Sequence, residues 1–441
     1  MIVDARALAA TALADIALGG ASLRDMLERH APKLPDPRDR ALLTALLNNG
    51  ARWWLRYDAA LDALLQQPLR HKEPAVHALL VLGLVQLEVM HMSAYAAVAA
   101  TVEATRALRR PRLAGLVNAV LRRWQREREQ RVAALDAQPQ TLHAHPAWLA
   151  DALVQDWPGH ADAIMRIDNT EAPLMLRANR RFGTREALLA RLAAAGFPAT
   201  AHPWLADALV LPRSADVTRL PGFAEGAFAV QDGAAQVAAD LAEPADGLRV
   251  LDACAAPGGK ACHLLERARL ELTALESDQA RAARIGENLA RLHLHARVLV
   301  GDAGTPRAWW DGRPFDRILV DAPCSASGVL RRRPDVRLHR RASDLEPLCA
   351  QQRRIVDALW PLLAPGGLLV YVTCSLLRAE NEDTIRALLR DRPDARARSL
   401  TLPAGQPAAI GWQILPGDAD LDGMYYAVVE KLPGTAAGSP G

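Results

Sequence analysis

LRVLDACAAPGGK, residues 248–260, is a short apolar run that closes on an acid and breaks into a turn of small residues. A run of this length bounded by Gly and Pro reads as a buried strand, and Gly258 and Gly259 let the backbone approach a ligand closely. Similar runs follow: LTALES (272–277), ARVLVGDA (296–303), DRILVDAP (316–323), GLLVYVTCS (367–375) and a late MYYAVVEK (424–431). Helical stretches separate the first three and precede the fifth. That alternation predicts a doubly wound, mostly parallel sheet, an α/β Rossmann-like fold over residues 231–432. In such sheets ligands sit beyond the carboxyl ends of the strands. Asp252, Glu276, Asp302, Asp321, Cys324, Thr373 and Cys374 close these runs and are expected to line one crevice, though they lie far apart in the chain.

Outward from this region, residues 147–230 read as a small α+β module. It has strands at APLMLRAN (172–179) and ALVLP (208–212) and a helix at TREALLARLAAAG (184–196) that stops at Gly. Residues 1–135 read as helix throughout, with apolar residues at three-to-four spacing (Leu43, Leu46, Leu47, Trp53, Trp54). Breaks are expected at Pro32 to Pro37 and at Pro68 to Pro74, giving an all-α bundle. AALDAQPQTLHAHP (133–146) reads as a linker and GTAAGSPG (434–441) as a disordered tail.

A chain of 441 residues is too long for one ordinary core, and 23% charged with 50% hydrophobic residues suits a globular protein. The net charge of +3 selects no partner. Of the 53 basic residues 49 are Arg, a bias that makes Lys260 in the Gly-rich turn conspicuous. Five cysteines without a CxxC pair support neither a disulfide framework nor a metal site, and fit reduced thiols in the cytoplasm. No basic segment precedes an apolar N-terminal stretch, and no run of 18 apolar residues occurs, so neither a signal peptide nor a membrane span is expected.

The turn Cys254-Ala255-Ala256-Pro257-Gly258-Gly259-Lys260 lacks the GxGxxG spacing of a dinucleotide fold and the GxxxxGK[ST] of a triphosphate loop. Small residues here suit the methionine part of S-adenosylmethionine, which needs close packing and no pyrophosphate cradle. Glu276, about 20 positions on, is placed to accept hydrogen bonds from ribose hydroxyls, and Asp302 to meet the adenine amine. Asp321-Ala-Pro-Cys324-Ser325 puts a thiol where amino-group methyltransferases often carry an aromatic residue. A thiol suits a different target atom: carbon 5 of cytosine becomes enamine-like once a thiolate adds to carbon 6. Thr373-Cys374-Ser375 offers a second thiol, and the residues alone leave the two equivalent. Cys254, Cys262 and Cys349 read as packing. Two Arg-rich stretches, 330–341 with six Arg and 109–131 with eight, suit a phosphate backbone, with a solvated face as the alternative.

DACAAPGGK, DAPCSASGVLRRRPD, TCSLLRAENED and DGMYYA together resemble the RsmB/NOP family of RNA cytosine-5 methyltransferases. The resemblance covers the C-terminal half. It implies S-adenosylmethionine as cofactor, Cys374 as nucleophile and Cys324 as the helper for enzyme release. It also implies cofactor contacts from Cys254 to Lys260, Glu276, Asp302 and Asp321, with Asp321 and Lys260 assisting at the cytosine ring. Glu276 departs from the Asp usual there and is expected to preserve ribose binding. LNNGARWWLRYDAALDALL and AGLVNAVLRRW resemble the NusB-like RNA-binding domain fused to one branch of the family. That implies a 16S ribosomal RNA substrate, at the cytosine RNA numbering calls 967, and a monomer away from any membrane. The competing readings are cytosine-5 methylation of another RNA such as tRNA, and an RNA-binding ribosome assembly factor.

Overall fold

The computed structural model describes residues 4–212 and 215–433. The tail reading at 434–441 therefore lies outside the described residues. The chain forms two compact units, one running to Glu171 and including Leu330–Ala342, the other holding Ala172–Val329 and the chain from Ser343 onward.

The first unit is all-α, with long helices at Ala5–Gly19, Pro37–Leu64, Pro74–Glu88, Ala94–Ala107 and Ala114–Asp136. Local chemistry starts them. Asp4 and Ser22 accept hydrogen bonds from first-turn amides, and Pro37 and Pro74 open their helices, as the proline breaks predict. PAVHALLVLGLVQLE (74–88) is buried on every face from Val76 to Gln86, which makes it the central helix of the bundle.

The stretch 133–146 is not a loose linker. The helix Ala114–Asp136 runs into it, Pro139–Leu142 adds a further turn, and His143, Ala144 and His145 are buried. His145 stacks no apolar surface that a pattern would reveal; hydrogen bonds to His143 O and Asp168 hold it inside. The helices Ala147–Asp156 and Ala161–Ile167 also fall in this unit. So does 330–342. Arg337 is buried there and donates to Arg52 O, Ala144 O, Asn169 Oδ1 and Asp168 O. Burial lowers its pKa to about 10. With Arg331 also buried, this stretch is not the uniformly exposed basic stripe that its composition suggests. In the other Arg-rich stretch, Arg110, Arg123, Arg128 and Arg131 pair with Glu73, Glu88 or Glu127.

The second unit contains two sheets. The smaller is antiparallel, ordered β2-β3-β1-β4, from β1 (Leu174–Ala178), β2 (Thr200–Ala201), β3 (Ala208–Leu211) and β4 (Phe228–Val230). Helix Arg185–Ala194, capped by Thr184, covers it through Leu188 and Leu192. The larger sheet uses β5 (Arg249–Ala253), β6 (Glu271–Glu276), β7 (Arg297–Val300), β8 (Phe315–Asp321), β9 (Leu363–Thr373), β10 (Ala395–Ala397), β11 (Gln406–Pro407), β12 (Trp412–Ile414) and β13 (Met424–Lys431). Its order is β11-β12-β13-β9-β8-β5-β6-β7, with β10 beside β13. The β7-β6-β5-β8-β9 core is parallel, and β13 runs antiparallel to β9.

Side chains alternate between the two faces of this sheet with period two. Leu368, Val370 and Val372 of β9 join one core with helices Gly233–Leu241, Gly259–Arg267 and Gln279–Arg291, while Leu369 and Tyr371 join the other with Leu345–Leu359 and Glu382–Asp391. Burial on both faces explains why these strands read as continuous apolar runs. The chain order reverses between β5 and β8, so the crevice at their carboxyl ends is the switch point at which ligands bind.

Candidate active site

Four strand ends deliver the site. After β5 the backbone turns through Cys254, at φ 60°, and Gly258, at φ 97°, into the helix Gly259–Arg267. A Cβ on Gly258 would lie 3.2 Å from Ile285 Cγ2 in a backbone conformation that side chains disfavour, so glycine is required twice over. Burial pushes the Cys254 thiol up to about 12, which marks it as an unreactive lining residue.

β6 ends on Glu276, which is buried. Its Oε1 accepts from Ser277 Oγ and Asp278 N, both at 3.1 Å, while Oε2 has no hydrogen-bond partner among the described residues. Arg281 comes no closer than 3.4 Å to that oxygen. A buried acceptor beside the Gly-rich turn fits the ribose hydroxyls of S-adenosylmethionine, and the close-packed turn fits its methionine portion. Asp302, after β7, is only half-buried. Arg354 grips both its oxygens, at 2.7 and 3.0 Å, and holds its carboxyl below the usual range.

Asp252 and Asp321 sit on β5 and β8. Asp321 Oδ2 accepts from Lys260 Nζ at 2.6 Å. Burial works to lower the Lys260 pKa, but the charge and hydrogen bond of Asp321 outweigh it and raise it. Asp252 is fully buried with both oxygens unpartnered among the described residues. Burial, reinforced by the charge of Asp321, pushes its carboxyl up to about 8.

β8 and β9 are adjacent and parallel, so the residues that follow them meet. Cys324 Sγ and Cys374 Sγ stand 3.5 Å apart. Cys324 is buried and Cys374 half-buried, and all five cysteines are free thiols. The hydrogen bond to Cys374, then burial, hold the Cys324 thiol well above its ordinary pKa. Either sulfur can be the donor in that contact.

The Cys324 loop carries Ala326 at φ 60°, and Gly328 N donates to Cys374 O at 2.9 Å. A polar cluster beneath the thiols was not legible as functional in the sequence. Ser325, Ser375, Gln352 and Asn381 converge on or beside the buried Glu380. The signals available were the serine following each cysteine and the motif TCSLLRAENED, which contains Glu380 and Asn381. The structure thus gathers Lys260, Asp321, Cys324 and Cys374, with Cys254–Gly259 and Glu276 at neighbouring strand ends, and leaves Asp302 engaged with Arg354.

A doubly wound sheet with a Gly-rich turn after one strand, an acid closing the next and target-side residues after β8 and β9 is the architecture of a methyltransferase. Residues 239–430 match the family described as 16S rRNA methyltransferase RsmB/F. Residues 145–218 match its RsmF/B-like ferredoxin-like domain, and 3–126 match the NusB family. The chain is 45% identical over 432 residues to ribosomal RNA small subunit methyltransferase B of Pseudomonas putida, covering 98% of this chain and 99% of that one. It is 48% identical over 427 residues to the protein of the same name from Xylella fastidiosa, covering 97% of each. The solved structure of PH0851, 22% identical, shares the fold at a TM-score of 0.82 over 98% of this chain and 100% of that one. The chain belongs to the RsmB/F family of rRNA small subunit methyltransferases, with a NusB-like bundle, a ferredoxin-like module and a Rossmann-like methyltransferase domain.

Proposed function

We propose that this protein methylates carbon 5 of a cytosine in 16S ribosomal RNA, with Cys374 as covalent catalyst. The observation that carries the reading is the pair of thiols 3.5 Å apart at the ends of adjacent parallel strands, beside the Lys260–Asp321 pair. Methylation of an amino group would need neither thiol. Full-length similarity to small subunit methyltransferase B relatives, the NusB-like unit included, favours the cytosine that RNA numbering calls 967.

In this reading the Cys374 thiolate adds to carbon 6 of the ring, forming an Sγ–C6 bond and sending the electron pair to carbon 5. Bound S-adenosylmethionine supplies an electrophilic methyl group. Cys254 to Lys260 and Asp321 would hold the cofactor, Glu276 would accept from its ribose hydroxyls, and Asp302 would meet its adenine amine. Lys260 donates to the cytosine ring and Asp321 accepts from its amino group, which favours the electron shift. Carbon 5 then carries both methyl and proton. A base, either Asp321 or a water, takes that proton; the C5–H electron pair rebuilds the C5–C6 double bond and the Sγ–C6 bond breaks, returning the Cys374 thiolate. Cys324, whose thiol is held protonated, does not compete as nucleophile; the release role comes to it from the family resemblance.

Incubation with 16S RNA and cofactor tests these roles. Cys324→Ala is expected to accumulate a protein–RNA adduct that survives denaturing electrophoresis, and Cys374→Ala to form none. An adduct formed equally well without Cys374 would sink the assignment. Mass-spectrometric mapping of 16S RNA with and without the gene tests the substrate: loss of one methyl group from a single cytosine is expected, and an unchanged map overturns it.

A further inference from the structure

Glu380 lies on a single 3-10 turn after β9, outside the crevice, and is fully buried. A buried carboxylate needs a reason, because an ionised oxygen without partners costs several kcal/mol. Four donors converge on this one. Oε1 accepts from Ser325 N at 2.8 Å and Gln352 Nε2 at 3.1 Å, and Oε2 accepts from the hydroxyls of Ser325 and Ser375 at 2.5 Å each. A carboxylate offers about four acceptor positions, so the arrangement saturates it.

The donors are informative by their place in the chain. Ser325 follows Cys324 and Ser375 follows Cys374, so one side chain holds the residues next to both thiols. Gln352 extends the same tie to Pro323 O, on the other side of Cys324. The backbone of Glu380 is itself anchored, since its carbonyl accepts from Tyr371 Oη at 2.7 Å. Neighbouring Asn381 donates to Ser375 O at 2.9 Å. The β8–β9 register stops at Asp321 and Val372, so the separation of the thiols depends on contacts made beyond the strands, the Gly328 N bond to Cys374 O and the Glu380 cluster among them.

We propose that Glu380 is a positioning residue which clamps the loops bearing Cys324 and Cys374 and so sets the 3.5 Å spacing of the two thiols. The role rests on the two-thiol reading above. Its negative charge also acts on Cys324 in the direction that keeps that thiol protonated. Titratable groups that bear on Cys324 include Cys374, Glu380 and the buried phenol of Tyr371, with Lys260 in electrostatic reach of Cys374.

The test is Glu380→Gln in the full chain, which keeps the shape, removes the charge and sets an amide donor against two of the four donors. Iodoacetamide alkylation of Cys324 and Cys374, read by mass spectrometry across pH, needs neither RNA nor cofactor. The Cys324 midpoint is expected to fall by about one pH unit or more as the charge and the thiol contact are lost. With 16S RNA, kcat is expected to fall roughly 10–100-fold from thiol misplacement, while KM for the cofactor stays unchanged. If Glu380→Gln does not fold, the same readings are taken on Ser325→Ala/Ser375→Ala, which removes donors while leaving the carboxylate, and a smaller fall in kcat is expected. A folded variant with the wild-type alkylation profile and wild-type kcat overturns the clamp. Failure of the wild-type protein to methylate cytosine would instead overturn the reading of function, and would leave the alkylation result standing.

Discussion

At the scale of single residues the site is a set of ionisable groups, each either paired or left open. Asp252 is the extreme case, since its carboxyl is raised to about 8 and both oxygens lack partners. Its folded pKa lies above its unfolded value near 3.8, so the folded state holds a proton that the unfolded state releases. The associated stability is complete at acid pH and is lost as pH rises from about 4 toward 8, at up to about 1.4 kcal/mol per pH unit. Cofactor-free Asp252→Asn, which cannot ionise, is expected to lose less stability between pH 5 and pH 8 than the wild type in denaturant unfolding. Equal losses in the two proteins would show that Asp252 is ionised in the folded state. Sequence patterns name such residues readily, because acids that close apolar runs stand out. They do not reveal which oxygen is left unpartnered.

At the scale of elements the long strands and their mostly parallel arrangement were legible, because burial on both faces leaves unbroken apolar runs; their order across the sheet was not. β12, the short β10 and β11, and the edge strands β2 and β4 were not, being two or three residues long and held by pairing rather than pattern. The loop after β8 shows how an element can depend on one atom. A Cβ on Gly328 would lie 2.3 Å from Gly423 O, and Gly328 bonds the backbone of both Cys374 and Gly423. Gly328→Ala must therefore displace the loop that carries Cys324. It is expected to cost about 1–3 kcal/mol of stability, read as a lower thermal midpoint. Single-turnover methylation is expected to slow roughly 10–100-fold. Unchanged turnover would show that this loop tolerates movement.

At the scale of the molecule, the small sheet is joined to the methyltransferase sheet by buried polar contacts. Arg177 of β1, fully buried, binds Glu266 through two 2.8 Å hydrogen bonds and donates to Gly259 O at 2.8 Å in the Gly-rich turn. Asp207, after β2, pairs with Arg267 of the same helix. Removing one member of a buried pair strands the other, so Arg177→Met is expected to destabilise the protein by about 3–5 kcal/mol and to weaken cofactor binding. Arg177→Met/Glu266→Leu is expected to recover most of the stability. Denaturant midpoints test the first effect and calorimetric titration of cofactor the second. A double variant no more stable than the single one would show that the pair is not the joint.

The sequence by itself determined the alternation of strand and helix, the all-α start and the short motifs at the strand ends, because these depend on neighbours a few positions apart. It could also name two thiols, and resemblance could rank them. Only the tertiary structure decided that β8 and β9 lie side by side, that their thiols stand 3.5 Å apart, and that Glu380 holds both loops. It also decided that Arg331 and Arg337, in a stretch that suits a phosphate backbone or a solvated face, are buried. The physical reason is common to all of these. Burial, pairing and pKa are set by what comes near in space, and composition along the chain is blind to residues many tens of positions away.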